Sequence, residues 1–336
     1  MDINQLAKRA EVSVATVSRA LNGRPAVSPE TRRRILALAE ELGYVPNASA
    51  RTLASRRSAM VGLLWDTEYR SGGQAHPFLQ DVLVGLKQAL SEQGQGLILL
   101  PVAGRDDRDG YVRQARSHNL AGVVLMAEER TPQVTALLSS DIPCVGLDQD
   151  VSGPASTSVS SDNAAGAGAA VRHLHALGHQ RIATVTGPLD MRPAAERLAG
   201  YRAALADLGL PYRDEYVVAG DFFPDSGAAA MRALLALDAP PTAVFVAGDA
   251  MAVGGIHAAA DAGLAVPDDV AVVGFDDIEA AALMRPGLPT IAQDYRQLGV
   301  AAVAALTSLA AAPVAEPVVL PTRLVVRESC GAHRTA

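Results

Sequence analysis

Residues 13–22, SVATVSRALN, carry side chains whose types and spacing suit one chemistry, the reading of a nucleic-acid duplex. Hydroxyls on Ser13 and Thr16 can bond phosphate oxygens, contacts that position a protein on DNA without specifying sequence. Val14 and Ala15 suit apolar contact with a thymine methyl. Arg19, one turn farther along, can direct its forked guanidinium at O6 and N7 of a guanine. Ser18 and Asn22 belong to the same small, polar outer face. A major groove about 12 Å wide admits a helix closely, so small side chains at its tip matter.

Other chemistries lack their parts. His173, His175 and His179, in HLHALGHQR, include an i, i+4 pair, yet no carboxylate or cysteine nearby completes a metal site. The glycines of AVGG and AAGAG come without the phosphate-loop lysine or the spacing of a dinucleotide fingerprint. Cys144 and Cys330 lie far apart in small or apolar surroundings and read as buried free thiols. With no nucleophile elbow or kinase-type motif in the chain, we expect no enzyme, no metal and no cofactor.

Three short helices must position residues 13–22. Asp2 can cap a first helix with Ile3, Leu6, Ala7 and Ala10 on one face. Ser13 caps a second, whose inner face is Val17 and Leu21. A third starts at Ser28 with Pro29 in its first position, buries Ile35, Leu38, Ala39 and Leu42, and stops at Gly43. Two helices three residues apart, followed by a third, describe a helix-turn-helix module, although a plain three-helix bundle shares the pattern. The small side chains at the N-terminal end of the second helix, and Arg19 one turn on, favour the first reading. Residues 1–57 hold ten Lys/Arg against five Asp/Glu, a net of +5, whereas the rest of the 336-residue chain holds nineteen against thirty-one, a net of −12. One end attracts polyanions and the other repels them.

Beyond residue 58 the sequence alternates short β-rich runs with Ala/Leu-rich amphipathic segments. The candidate strands are 60–65, 96–102, 122–127, 143–148, 181–187, 243–248 and 270–277. Such runs fit parallel strands buried on both faces with helical crossovers, a doubly wound α/β body with two sheets. No apolar run has the length of a secretory signal or a membrane span, so a cytoplasmic protein without membrane contact is expected.

The runs VSVATVSRALNG, VSPETRRRI, ELGYVPNASARTLA and SAMVGLL resemble the DNA-binding headpiece of the lactose/galactose repressor family, and the likeness extends from about Ile3 to Val326. One departure is Glu11, where the family usually has glycine in the turn. The resemblance implies an all-α headpiece over 1–57 with a hinge helix at about 47–55. It implies an effector-binding and dimerisation domain over 58–336, made of two subdomains of periplasmic-binding-protein type. The first would hold about 60–160 plus 292–321 and the second about 161–291 plus 322–336. In such proteins the hinge folds when two copies meet on DNA. Leu53 would then wedge into a base step from the minor groove beside Arg51, bending the duplex.

The same resemblance implies an effector in the cleft between the subdomains, gripped by Arg197 and Asp276, with Asp277 left to cap the following helix. For Arg197 a surface salt bridge to Glu196 or Asp207 is the simpler alternative. Phe222 falls where relatives place an aromatic ring, with core packing as its rival. Phe78, Asp148 and Gln293 match by position. Gly248 stands where the family commonly has asparagine, and the insert at 66–76, with Tyr69 and His76, is longer than usual. The expected protein is a homodimeric repressor on a pseudo-palindromic operator. Its expected effector is a sugar or oligosaccharide inducer. A purine corepressor is the alternative, and an exported sugar carrier a remoter one. The tail RESCGAHRTA has no leucine heptads, so no helical-bundle tetramer is expected.

Overall fold

The computed structural model describes residues 2–21, 26–44, 60–65, 78–104, 106–126, 131–312 and 314–331. The expected hinge, with Arg51 and Leu53, the 66–76 insert and Asn22 lie outside the described residues.

The headpiece consists of α1 (Ile3–Arg9), α2 (Val14–Leu21) and α3 (Pro29–Glu41). Each begins at the residue whose side chain can satisfy a helix-end N–H. Asp2 accepts from the Gln5 amide at 2.8 Å, and the Gln5 side chain returns a bond to the Asp2 amide. The Ser13 hydroxyl accepts from the Thr16 amide at 3.1 Å, and that of Ser28 from Thr31 at 3.2 Å. Leu6, Ala7, Ala10, Val17, Ala20, Val27, Ile35 and Ala39 form one core. On α2 the residue buried with Val17 is Ala20, while Leu21 is half-buried, because the helix face that meets α1 and α3 runs through i and i+3. Leu38 and Leu42 are likewise half-buried at the rim. Glu11 turns the chain at φ 53°, so the left-handed turn is kept without glycine, at a cost of roughly 1–2 kcal/mol.

The body holds two six-stranded sheets. In the first, β1 (Met60–Trp65), β2 (Gly96–Leu99), β3 (Val123–Met126), β4 (Cys144–Leu147) and β5 (Ser156–Ser161) run in the order β2-β1-β3-β4-β5, with β11 (Val318–Leu320) beside β5. All five pairings are parallel. In the second, β6 (Ile182–Thr186), β7 (Val217–Ala219), β8 (Ala243–Val246), β9 (Ala271–Asp276) and β10 (Thr290–Ala292) repeat that order as β7-β6-β8-β9-β10. The sixth strand, β12 (Arg323–Val325), is antiparallel to β10. The seven strands expected from apolar runs are all present. Five were missed. β5 reads STSVSS, a polar run that is nonetheless buried, and β7, β10, β11 and β12 have only three residues each.

Helical crossovers cover both faces. On the first sheet they are α4 (Phe78–Glu92), α5 (Gly110–Ser117), α6 (Pro132–Leu138) and α12 (Tyr295–Ala311). On the second they are α7 (Asn163–Ala176), α8 (Arg192–Asp207), α9 (Pro224–Leu235), α10 (Asp249–Asp261) and the short α11 (Glu279–Leu283). The chain passes between lobes three times: after β5, after β10 and between β11 and β12. The first two passages each end in a helix-capping aspartate. Asp162 accepts from the Ala165 amide at 3.0 Å and Asp294 from the Gln297 amide at 2.8 Å. β10 extends the second sheet to Ala292, so the return to the first lobe falls at Gln293 and Asp294. No helix among the described residues is long and apolar enough to cross a membrane.

Candidate effector site and DNA-reading surface

In sheets with this strand order, ligands collect beyond the carboxyl ends of the strands where the order reverses, here between β1 and β3 and between β6 and β8. At that edge of the second sheet lies a buried polar cluster. Arg197, on α8, is only 4% exposed and Asp276, the last residue of β9, 5%. A buried guanidinium needs acceptors to replace water. Arg197 donates through Nε to Asn163 Oδ1 at 2.9 Å, and through Nη1 to the Ala247 carbonyl at 2.6 Å and Asp276 Oδ1 at 3.3 Å. Its cation lies 3.7 Å from the centre of the Phe275 ring. The surface pairing with Glu196 or Asp207 is not what forms. Glu196 instead accepts from Arg192 Nε at 2.7 Å and from Asn163 Nδ2 at 3.0 Å.

Asp276 Oδ1 also accepts from Gln293 Nε2 at 2.9 Å and from the Tyr295 hydroxyl at 2.8 Å. Gln293 thus reaches Asp276 from the passage between lobes, and Tyr295 from the start of α12. Burial and the neighbouring Asp276 carboxylate push the Tyr295 hydroxyl well above its ordinary range. Behind them Asp249 is fully buried at the head of α10, accepting from Thr290 Oγ1 at 2.7 Å and from the Ile278 amide at 3.0 Å. Burial first, and then the charge of Asp276, raises its carboxyl well above the carboxylate range. This corner needs glycine at 274, where a Cβ would sit 2.1 Å from Asp249 Oδ1. Asp277 does not cap α11. Its carboxylate accepts from Arg327 Nη2 at 2.7 Å, tying down the C-terminal stretch, while Asp249 satisfies the amide of Ile278.

From the first lobe, Asp148 stands just beyond β4, half-buried, and accepts from the Ser161 amide at 3.3 Å. Desolvation pushes its carboxyl up to about 6, with the nearby Arg197 cation opposing that rise. Asp150, two residues on, pairs with Arg192 of the second lobe at 2.9 Å and so joins the lobes at this edge. Phe222 is mostly buried, with its ring over Gly187, where a Cβ would meet Phe222 Cζ at 2.2 Å, and with the Arg197 cation 5.8 Å away. Both the aromatic and the core-packing readings of Phe222 therefore have a physical basis. Phe78 is the first residue of α4.

Asp148, Phe222 and Asp276 have positive φ, at 51°, 68° and 118°. Left-handed or sparsely populated backbone at non-glycine residues costs on the order of 1–3 kcal/mol each and concentrates at ligand sites. Of the expected effector residues, the structure brings Arg197, Asp276 and Gln293 into direct contact and sets Asp148 and Phe222 beside them. The sequence reading missed Asn163, Ser161, Thr186 and Tyr295. It also missed the chain's one tryptophan, Trp65, half-buried at the carboxyl end of β1. The signal available was position: Ser161, Thr186 and Trp65 end strands, and Asn163 and Tyr295 open the helices that follow strands.

The histidines have ordinary partners. His173 Nε2 lies 3.2 Å from Cys330 Sγ, His175 Nδ1 lies 3.3 Å from the His179 carbonyl, and His179 Nδ1 lies 3.1 Å from Thr242 Oγ1. Cys144 and Cys330 are buried and not joined in a disulfide, and burial lifts the Cys144 thiol to about 12.

On the headpiece, α2 displays Ser13, Val14, Ala15 and Arg19 to solvent, with Thr16 and Ser18 half-buried behind them. The hydroxyls of Ser13 and Thr16 lie 2.8 Å apart at the helix tip. Val14 is 39% exposed, an apolar side chain left open by the headpiece's described residues.

Residues 2–47 match the family described as bacterial regulatory proteins, lacI family, and residues 171–330 match the periplasmic binding protein-like domain. The probable HTH-type transcriptional repressor ExuR of Bacillus subtilis is 36% identical over 331 residues, 97% of each chain. Catabolite control protein A of Priestia megaterium is 35% identical over 333 residues, covering 97% of this chain and 98% of that one. Among solved structures, a complex of the transcriptional regulator CelR with cellobiose is similar at a TM-score of 0.73 and 34% identity, covering 98% of this chain and 99% of that one. The lac repressor dimer bound to operator and the anti-inducer ONPF is similar at 0.82 and 28%, with the same coverage. With a helix-turn-helix module joined to two doubly wound lobes, and likeness along nearly its whole length, this chain belongs to the lacI family of bacterial regulatory proteins.

Proposed function

We propose that the protein is a transcriptional repressor that binds a pseudo-palindromic operator as a homodimer and changes its operator affinity when a sugar or oligosaccharide enters the cleft between its lobes. The observation that carries this reading is the presence in one chain of the exposed tip of α2 and the buried Arg197–Asp276 pair at the lobe junction. One headpiece reaches few base pairs, so a twofold pair is needed for specificity. In that dimer Ser13 and Thr16 hold phosphate, Val14 and Ala15 meet a thymine methyl, and Arg19 reads guanine beside Ser18. Asn22, Arg51 and Leu53 add the further contacts that the family resemblance implies.

In the cleft, Arg197, Asp276, Gln293 and Asp148 bond the effector and Phe222 lies against an apolar face, with Phe78 a further contact that the family resemblance implies. The relatives support both halves: a lac repressor dimer was solved on operator DNA, and CelR was solved with cellobiose. The protein acts by binding rather than by a catalytic step, and it works where its DNA is, in the bacterial cytoplasm. Selection of randomised duplexes followed by gel-shift titration tests the reading. A symmetric motif whose affinity falls on adding a sugar is expected. Absence of any symmetric motif at moderate salt overturns it, and tightening by a nucleobase replaces induction with corepression.

A further inference from the structure

Resting on that reading, we propose that the cleft takes an uncharged polyol, a neutral sugar or sugar oligomer, and discriminates against the uronate and phosphate forms of the same sugars. The site's own hydrogen-bonding inventory and charge lead there.

The cluster is rich in acceptors that lack donors. Gln293 is 8% exposed, its amide nitrogen is spent on Asp276 and Tyr295, and its buried Oε1 has no partner among the described residues. Among the described residues Asp276 receives three bonds, all on Oδ1, and Asp148 one, on Oδ1, so the second oxygen of each is left over there. Two hydroxyls at strand ends, Ser161 Oγ of β5 in the first lobe and Thr186 Oγ1 of β6 in the second, are also buried without a partner among the described residues. Among the described residues Arg197 Nη2 is uncommitted, while the charge already faces Asp276 and the Phe275 ring. Sugar hydroxyls both donate and accept, so they satisfy Oε1, the two carboxylate oxygens, the hydroxyls and Nη2 together. A carboxylate or phosphate can only accept, and would leave the acceptors facing its own charge.

Charge points the same way. Around the cluster stand Asp148, Asp150, Glu196 and Asp276 against Arg192 and Arg197, and Arg192 is held by Glu196 and Asp150 at 2.7 and 2.9 Å. Like charges brought together in a partly desolvated site are the usual means of rejecting a competitor.

Gly248 supplies the room. It sits at φ −172°, an extended conformation open to any residue, yet a Cβ there would lie 3.2 Å from Phe222 Cδ1 and 3.5 Å from Asp276 Oδ2. The ring cannot retreat, because Gly187 already lies against it. Glycine at 248 therefore keeps the uncommitted Asp276 oxygen uncovered.

The test titrates the full chain with matched pairs, D-glucose and D-glucuronate, D-galactose and D-galacturonate, cellobiose and cellobionate, ribose and ribose 5-phosphate, and with guanine and hypoxanthine as nucleobases. Trp65 fluorescence and melting temperature are the readouts. In at least one pair the neutral member binds, and its charged counterpart binds at least about tenfold more weakly. Asp148→Asn, and independently the exposed Asp150→Asn, narrows that ratio. Gly248→Ala weakens the neutral ligand by roughly fivefold or more. A charged member that binds as tightly as its neutral partner, or more tightly, overturns the class assignment and leaves effector-controlled repression standing. A panel in which no neutral sugar binds while a nucleobase does overturns the class and the sugar reading together.

Discussion

The headpiece and the lobe junction handle polar side chains in opposite ways. On α2 the residues that would touch DNA stand in water, attached to a helix held by a Ser13 cap and the small buried side chains Val17 and Ala20. At the junction the polar residues are withdrawn from water and bonded to one another: Arg197 to Asn163, Ala247 and Asp276, and Asp276 to Gln293 and Tyr295. The difference follows from the ligands. A duplex brings its own dense charge to an open surface, so the reader needs exposure and the right shape. A small uncharged molecule offers only a few hydrogen bonds, which count when the partners are already desolvated and aimed. The junction therefore carries strained backbone at Asp148, Phe222 and Asp276, and among the headpiece's described non-glycine residues only Glu11 has a comparable φ.

If this contrast is right, mutations in the two regions separate binding from stability. The largest effect falls on the junction. Arg197→Ala leaves Asp276 buried without its cation, and we expect a loss of about 3–5 kcal/mol in unfolding free energy by urea titration, together with loss of the sugar response. A variant of wild-type stability would show that the cluster is wetter than described. Next comes Arg19→Ala, expected to weaken operator binding by about 1–3 kcal/mol in gel-shift assays and to relax preference at one base pair, with the melting temperature unmoved. A lowered melting temperature would mean that α2 is part of the fold rather than a reader.

The smallest effect concerns pH. The Asp148 carboxyl is raised from its ordinary value to about 6, so the folded protein holds this proton more tightly than the unfolded chain. Its contribution to stability is full below the unfolded value near 4 and is lost as pH rises through about 6. Asp148→Asn should flatten that slope in urea midpoints taken across the range. It should also remove a decline in sugar affinity expected as pH falls through the same window, because Asp148 accepts best as the carboxylate and stands beside Arg197, Glu196 and Asp276. An unchanged slope in the variant assigns the titration to another group.

Local pattern decided a good deal. Caps at Asp2, Ser13 and Ser28, the apolar spacing of three short helices and the separation of charge at residue 57 suffice for a DNA-reading module, because each depends on residues within a turn or two of each other. Seven strands were legible because β-branched and leucine-rich runs have nowhere to go but between two helical layers. β5 was not, since STSVSS looks like a loop until β4 and β11 enclose it. Arg197 and Asp276 were named through family resemblance, but their partners were beyond reach. Asn163 and Arg197 are 34 residues apart, and Arg197 and Asp276 are 79 apart. No periodicity links such positions. Only the folding of β9, α8 and the interlobe passage onto one edge brings them within hydrogen-bond distance, and only the exclusion of water there turns ordinary polar residues into a site.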